Sequence, residues 1–500
     1  MKAPVRSIVF SACLCAVLML PALPVFPQQR IQTPVERSGF TRLTSSDTLQ
    51  AFLGTLDGRG RCTVMRLART SRGRSVPSVL ITSSPRFGQD SLKLRVLLFA
   101  QQHGDEPAGK EALTLLLARI AGLELDRLLS RIDLIIVPQM NPDGAELRQR
   151  RTADDVDLNR THLLLTAPET RGLHDLFDAW WPEVTMDIHE YGAYSRAWSD
   201  SGFVKSADVQ LGMLTNLNSS GALRSYQRDS VFPFISSAMQ KRGYAFHEYI
   251  VGSPADYIRY STTEPNDGRQ SFGILNTLSF IQEGRGGREL EEGLERRARS
   301  QSASIEALLS FCAGHAAEIR SLVARERRAL AARRGLPAVL CMDHFPGGRE
   351  MSIPVRRVPS GTDTLWHVHP LRDAVKPISV RALPNAYIIP GELTRIREIL
   401  DRNHVQMEIV SDPRRVEAVA DVIEHVQPDT LEDEWHPRPS LRSEKVVRVL
   451  RPGDVIVRTD QTRSLFLAVL LEPESMWGLV KYSGFSSLLQ GKEYPILRIP

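Results

Sequence analysis

Cysteine is scarce: five occur in 500 residues, and Cys13 and Cys15 fall within the first thirty. The other three, Cys62, Cys312 and Cys341, permit at most one intrachain bridge and leave one thiol over. No Cys-x-x-Cys pair occurs, so a disulfide scaffold and a cysteine-built zinc knuckle are both excluded. A basic stripe with interleaved aromatics is missing as well. The formal net charge of +5 comes from 63 basic and 58 acidic residues that are interspersed, which offers no face for nucleic acid. Internal repeats and low-complexity tracts are absent. A membrane-length apolar run is lacking too. In "MKAPVRSIVFSACLCAVLMLPALPVFPQQR" the run from Ile8 to Leu20 is short of the roughly 20 residues a bilayer-spanning helix needs. Lys2 and Arg6 precede it, and Pro21, Pro24 and Pro27 break it. That is the build of a secretory signal peptide over 1–27, with an uncleaved N-terminal anchor as the alternative. No clear Ala-x-Ala site follows, and Cys13 makes a poor lipobox. The expected location is secreted or periplasmic, with no membrane span in the mature chain.

What is present is an ordinary globular mix, 42% hydrophobic and 24% charged. It is long enough for two to three domains and a large core without disulfide help. An α/β rhythm sets in after short alternating stretches from Thr63 to Ser84. The apolar strand "LKLRVLLFA" is followed by "PAGKEALTLLLARIAGL", whose apolar residues recur at helical spacing, with Pro107 in the first turn. "IDLIIVP", "VTMDI" and "FGILNTLSFI" read as further buried strands. Long apolar strands alternating with helices predict a mixed, largely parallel sheet covered on both faces. Leu290, Leu294, Ile305, Leu308, Leu309, Cys312, Ile319 and Leu322 keep a helical stripe through two charged helices that read as solvated faces and end at "RRGLP". Beyond them, "PAVLCMD", "SIPVRRV", "LWHVHPL", "AYIIP", "VVRVL", "DVIVRT" and "LAVLLEP" read as short strands around one helix, "ELTRIREILDRNH". The expected organisation is 1–27 signal, 28–335 catalytic α/β domain and 336–500 β-rich domain.

Polar clusters sit just after the buried strands: His103 and Glu106 after the first, "NPDG" after the second, His189 after the third and Glu283 after the fourth. Ligands in open α/β sheets bind beyond the carboxyl ends of strands, so these ends point to one shared site. A mononuclear catalytic zinc takes three ligands from His, Asp or Glu and keeps one position open; His103, Glu106 and His189 form a His₂Glu set. The pair His103 and Glu106 alone reads more readily as a surface loop with an acid at a helix start.

Downstream of "NPDG" comes "RRTADDVDLNR". With it the order His-x-x-Glu, Asn-Pro-Asp-Gly, Asp-Leu-Asn-Arg, lone His and late Glu is complete over about residues 98–286. In this the chain resembles the zinc metallocarboxypeptidases of the carboxypeptidase A/B type. The resemblance implies an α/β fold around a mixed, largely eight-stranded sheet, and one zinc ion per chain on His103, Glu106 and His189. It implies Asp157 behind His103 and fixing its tautomer, and Asn159 and Arg160 docking the carboxylate of a peptide with a free C-terminus. Arg150 would stabilise the oxyanion, with Arg151 the alternative. Glu283 would be the general base for a zinc-activated water, and Tyr249 a mobile substrate-binding tyrosine, with Tyr257 second. Ala255 in "GSPADYIRY" falls near the base of the specificity pocket, predicting a preference for apolar C-terminal residues unless Asp256 takes that place.

His247 in "FHEYI" mimics His189 but follows no comparable strand. His367 and His369 read as one polar strand face, and "EPNDGRQSFG" as a plain loop or a pocket wall. The expected activity is that of a secreted zinc metallocarboxypeptidase. An amidase of cell-wall peptides and a non-catalytic peptide-binding protein are the alternatives.

Overall fold

Along the segment Leu94–Ala100, Val96, Leu98 and Ala100 pack into one apolar cluster and Leu97 and Phe99 into another. Successive strand side chains point to opposite faces, so a strand apolar at both parities must be covered on both sides. The computed structural model, which describes residues 31–59, 61–332, 337–431 and 434–500, shows this cover. In chain order the strands are β1 (Cys62–Arg69), β2 (Ser75–Ile81), β3 (Leu94–Ala100), β4 (Ile132–Val137), β5 (Val184–Tyr191) and β6 (Phe203–Lys205). Then come β7 (Val209–Gly212), β8 (Phe246–Glu248), β9 (Ile250–Gly252), β10 (Ile258–Tyr260) and β11 (Leu278–Arg285). Eight of them form one mixed sheet in the order β1-β2-β4-β3-β5-β11-β7-β8. Its centre, β4-β3-β5-β11, is parallel, so four carboxyl ends open on the same edge. Helices Ala108–Ala121 and Leu294–Gly314 pack on one face. Helices Pro168–Trp180 and Gly268–Gly273 cover the other through Phe177 and Phe272, stacked at 4.4 Å.

Two expectations change here. "FGILNTLSFI" is not one strand: Phe272 and Gly273 end a helix, and β11 starts at Leu278. The charged helix Leu294–Gly314 is not a solvated face, since its Ile305, Leu308, Leu309 and Phe311 are core. Its Arg297 is buried against Glu190 at 2.6 Å.

After residue 337 come β12 (Pro337–Phe345), β13 (Ser352–Arg357), β14 (Asp363–His367), β15 (Leu371–Arg372) and β16 (Ala374–Ala382). β12 pairs with β16, while β13 and β15 pair back onto β6 and β10. A six-stranded sheet follows, ending in the long hairpin of Arg414–Leu431 with Glu434–Leu450. "LAVLLEP", expected as a strand, lies in the helix Ser464–Leu471, every residue of which is buried. An apolar run this short has no period to separate the two states.

The expected signal peptide and the "RRGLP" break lie on or across residues outside those described. Among the described residues no helix is long and apolar enough to cross a membrane, and Cys62, Cys312 and Cys341 are free and buried.

Candidate active site

β3 ends at Ala100, and Gln101 turns the chain out of the sheet with a left-handed backbone, φ 55°. The following loop lies directly on the "NPDG" turn. A Cβ on Gly104 would meet the Gly144 carbonyl carbon at 2.1 Å and the Ala145 nitrogen at 2.3 Å, so only glycine permits this approach. Asn141 ties the two loops together. Its Oδ1 accepts from the Gly144 N–H at 2.8 Å, and its Nδ2 donates to the Gln102 and Arg150 carbonyls at 3.1 and 3.3 Å. "NPDG" is thus the support on which His103 and Glu106 stand.

Glu106 precedes the helix Ala108–Ala121 and faces both imidazoles. Its Oε1 lies 2.7 Å from His103 Nδ1 and its Oε2 2.9 Å from His189 Nδ1; the two Nδ1 atoms are 3.1 Å apart. Carboxylates back the opposite ring nitrogens: Asp157 Oδ1 at 3.2 Å from His103 Nε2 and Asp187 Oδ1 at 2.9 Å from His189 Nε2. Asp187 is held in turn by Gln102 Nε2 at 2.9 Å. Burial works against the Glu106 carboxylate, yet the two imidazoles hold it well below the usual carboxylate range. Burial likewise opposes a proton on either histidine, but Glu106 with Asp157 raises His103 and Asp187 with Glu106 raises His189. A site whose field favours a proton at these nitrogens also favours a divalent cation.

The trio's donor atoms lie within 4.8 Å of one another. Tetrahedral zinc ligands at about 2.1 Å from the metal stand roughly 3.3 Å apart, close to the spacing seen here. With carboxylates behind both imidazoles, these residues fit a zinc ion.

β5 and β11 are adjacent and parallel, with Glu283 in register with His189. Burial pushes the Glu283 carboxyl up to about 7 and Glu106 adds to this, while His189, His103 and Lys205 oppose it. Glu283 opens, with His103 and Glu106, on a cavity of about 320 Å³ that has Arg150, Asn159, Arg160 and Tyr249 in its wall.

Arg150 turns inward: its Nε donates to Asp157 Oδ2 at 3.1 Å, and its Nη1 lies 3.2 Å from His103 Nδ1. Arg151 turns away, toward the Asp155 carbonyl. Asn159 Oδ1 accepts from the Gly268 N–H at 2.8 Å and from Gln102 at 3.2 Å. Arg160 Nη2 lies 3.1 Å from Glu264 Oε2. Tyr249 lines the cavity, where burial raises its hydroxyl far above the ordinary range. Tyr257 lies under the Arg372 guanidinium, 3.6 Å from its ring centroid.

Ala255 does not reach the cavity. It is exposed in the β9–β10 turn, as is Asp256, so neither forms a pocket base. The segment "EPNDGRQSFG" is a wall of the site: Glu264 and Asp267 line the cavity, and Asp267 caps the helix Gly268–Gly273. His247 belongs to the edge strand β8 and points its Nδ1 at the Glu248 carbonyl, 2.5 Å away. Asp187, Gln102 and Lys205 were not singled out from the sequence for this site, and Glu264 was reached only as part of the segment "EPNDGRQSFG". Asp187 carried a readable signal, since it stands two residues before His189 on the same strand face. Gln102 and Lys205 had none.

Residues 50–229 match the family model described as zinc carboxypeptidase. Carboxypeptidase 2 of Trichophyton rubrum is 25% identical over 477 residues, covering 91% of this chain and 86% of the relative. Carboxypeptidase 2 of Trichophyton tonsurans is 25% identical over 509 residues, covering 96% and 92%. A solved metallo-carboxypeptidase from Burkholderia cenocepacia is 21% identical with a TM-score of 0.41, over 54% of this chain and 70% of that one. The family match over residues 50–229 and the near full-length likeness to carboxypeptidases agree with a His₂Glu trio at the carboxyl ends of a mixed eight-stranded sheet, and it is to the zinc carboxypeptidases that this chain is similar in both respects.

Proposed function

We propose that this chain is a secreted, zinc-dependent carboxypeptidase that removes the last residue from peptides with a free C-terminus, using Glu283 as general base. The observation that carries the reading is one cavity lined by His103, Glu106, Glu283 and Arg160, with His189 beside it completing the metal trio in register with Glu283. One zinc ion bound by the trio would act as a Lewis acid and lower the pKa of a water.

The rest is the work of side chains. Arg160 binds the terminal carboxylate through its guanidinium, oriented by Glu264 and by its own Nη1 donating to the Asn159 carbonyl at 2.9 Å. Asn159, its oxygen already engaged, offers that carboxylate its Nδ2 hydrogens. Tyr249 closes the wall beside them. Glu283 takes a proton from the attacking water at its carboxylate and delivers it to the leaving nitrogen. Arg150, held by Asp157, brings positive charge to the oxygen that becomes negative. Asp157 keeps the His103 ring in place. The unit that does this is residues 28–335, and 336–500 backs its cavity. The basic start and short apolar run of residues 1–27 support export. The apolar preference inferred through Ala255 has no basis, because Ala255 is exposed and does not line the cavity.

Peptides ending in Phe, Leu or Lys, each as free acid and as amide, test the reading. Chelation abolishes trimming and zinc restores it. The free acids are cleaved faster. Arg160→Ala lowers kcat/KM on them by about ten- to a hundredfold, the loss of a charge-assisted hydrogen bond, and narrows the acid-to-amide ratio. Equal cleavage of acid and amide would reject carboxylate docking and leave the amidase reading.

A further inference from the structure

Lys205 ends β6 and lines the active-site cavity with only 9% of its surface exposed. Its ammonium lies 4.4 Å from the centroid of the Tyr191 ring and 5.5 Å from that of Trp198. Among the described residues no carboxylate stands at ion-pair distance from it; Glu283, across the cavity, is the acid whose charge it feels. A buried cation is normally paired, because losing its hydration costs more than ring faces return. An apolar side chain would fill this place at lower cost, so the charge calls for a ligand.

The surroundings are built to hold it there. Lys205 pairs in register with Val355 of β13, so a strand from beyond residue 337 fixes the backbone. Trp198 is met edge-on by Trp366 of β14 at 5.5 Å and donates its Nε1–H to the Gly252 carbonyl at 3.0 Å. Arg150, Arg160 and Lys205 all line the cavity, and the last two belong to different groups of side chains. Arg160 stands with Asn159 and Glu264 at the start of the helix Gly268–Gly273. Lys205 stands with Tyr191, at the carboxyl end of β5 two residues past His189. A peptide with its terminal carboxylate on Arg160 and its scissile bond at Glu283 would run its amino side toward Lys205.

We propose that Lys205 is the cation of a second carboxylate subsite, which takes an aspartate or glutamate side chain on the amino side of the scissile bond. This rests on the carboxypeptidase reading above. The substrate class is then peptides with an acidic residue one or two places before the residue removed. The strands after 337 are part of specificity, since they fix β6 and Trp198.

The test uses zinc-loaded full-length protein and two pairs of N-blocked peptides ending in Phe. Each pair differs only by Glu or Gln, one or two residues before the Phe. Wild type should favour Glu over Gln in one pair by about tenfold or more in kcat/KM, as for one charge-assisted hydrogen bond, with the difference in KM. Lys205→Met should bring that ratio near one, any change that follows from the loss of its charge near Glu283 being common to Glu and Gln peptides, and Lys205→Arg should retain part of the ratio. Calorimetric Kd values for the same peptides should show the same pattern. Equal wild-type rates for Glu and Gln in both pairs would overturn the proposal. So would a Lys205→Met variant that keeps the wild-type ratio and slows Glu and Gln peptides alike, which would make Lys205 a structural or electrostatic group. If no peptide is trimmed, the carboxypeptidase reading fails, and the Kd ratios still decide the subsite. The wild-type ratio stands even if Lys205→Met does not fold.

Discussion

Glu283 shows how one carboxyl is set apart from its neighbours. Glu248 is paired with Arg349 at 2.7 Å, Glu264 with Arg160 at 3.1 Å and Glu190 with Arg297 at 2.6 Å. Glu283 stands in register with His189, facing the trio, and burial and Glu106 raise its pKa to about 7. A carboxyl that holds and releases a proton near neutrality suits a base that must become an acid within one turnover. Glu283→Gln keeps the shape and removes the proton acceptor. It should retain the fold and stoichiometric zinc and lose about 10²- to 10⁴-fold in kcat. Turnover measured beside metal content checks this, and a near-normal kcat would make Glu283 a structural strand-end residue. His247 shows the converse. It carries the same local sequence as His189, yet it sits in an edge strand with its Nδ1 on a backbone carbonyl, outside the trio.

At the scale of elements, the helix Pro168–Trp180 closes one face of the sheet. It opens with proline at its first position, where the missing N–H costs nothing. Glu169, in the first turn, is 2% exposed, and its Oε2 has no hydrogen-bond partner within the chain. Burial, followed by the charges of Asp143 and Asp154, pushes its carboxyl up to about 7 against its own backbone N–H. The sign follows from linkage. The unfolded chain releases this proton near 4.5 and the folded chain only near 7. Glu169 therefore costs nothing below pH 4.5, costs progressively more between 4.5 and 7, and costs its full amount above. A shift of this size corresponds to about 3 kcal/mol. Glu169→Gln should match wild type at pH 4 and gain up to roughly that much above pH 7. Denaturant titrations of both proteins across this range would show a growing gap, and a constant gap would refute the account.

Across the whole molecule, the region after residue 337 is joined to the α/β unit by more than the chain connection. β13 and β15 extend small sheets begun by β6 and β10. Leu163, Leu164 and Ile274 enter an apolar cluster with Ile396, Leu400 and Phe466. Arg463 reaches back to Asp178 on the helix Pro168–Trp180, its Nη2 at 2.6 Å, with both side chains about nine-tenths buried. Burial raises the Asp178 carboxyl, and Arg463 opposes that rise. Arg463→Ala would leave the buried carboxylate with only the half-exposed His404 imidazole at 3.7 Å, a loss of up to about 3–5 kcal/mol. Adding Asp178→Asn should recover part of it. Thermal or urea unfolding of the single and double variants measures both, and a single-variant loss under about 1 kcal/mol would mean that the junction rests on its apolar contacts.

By itself the sequence determined the class of fold and the parts of the site that follow from local rules. Doubly apolar strands followed by helices require a covered, largely parallel sheet, and β3, β4 and β5 are such strands. Polar clusters placed just after them lie at one edge because parallel strands share their carboxyl ends. That made His103, Glu106, His189 and Glu283 legible as one group. The tertiary structure decided what depends on registers and distances that no local pattern encodes. It chose Arg150 over Arg151 for the site by turning one toward Asp157 and the other toward Asp155. It put Tyr249 rather than Tyr257 on the cavity. It took Ala255 out to solvent in a hairpin turn and brought Glu264, nine residues on, to Arg160. It made "LAVLL" a buried helix, since an apolar run of that length fits a strand as well. Lys205 was beyond any sequence reading. Its meaning comes from Tyr191, Trp198 and Val355, which are 14, 7 and 150 positions away in the chain and meet only when the sheets have formed.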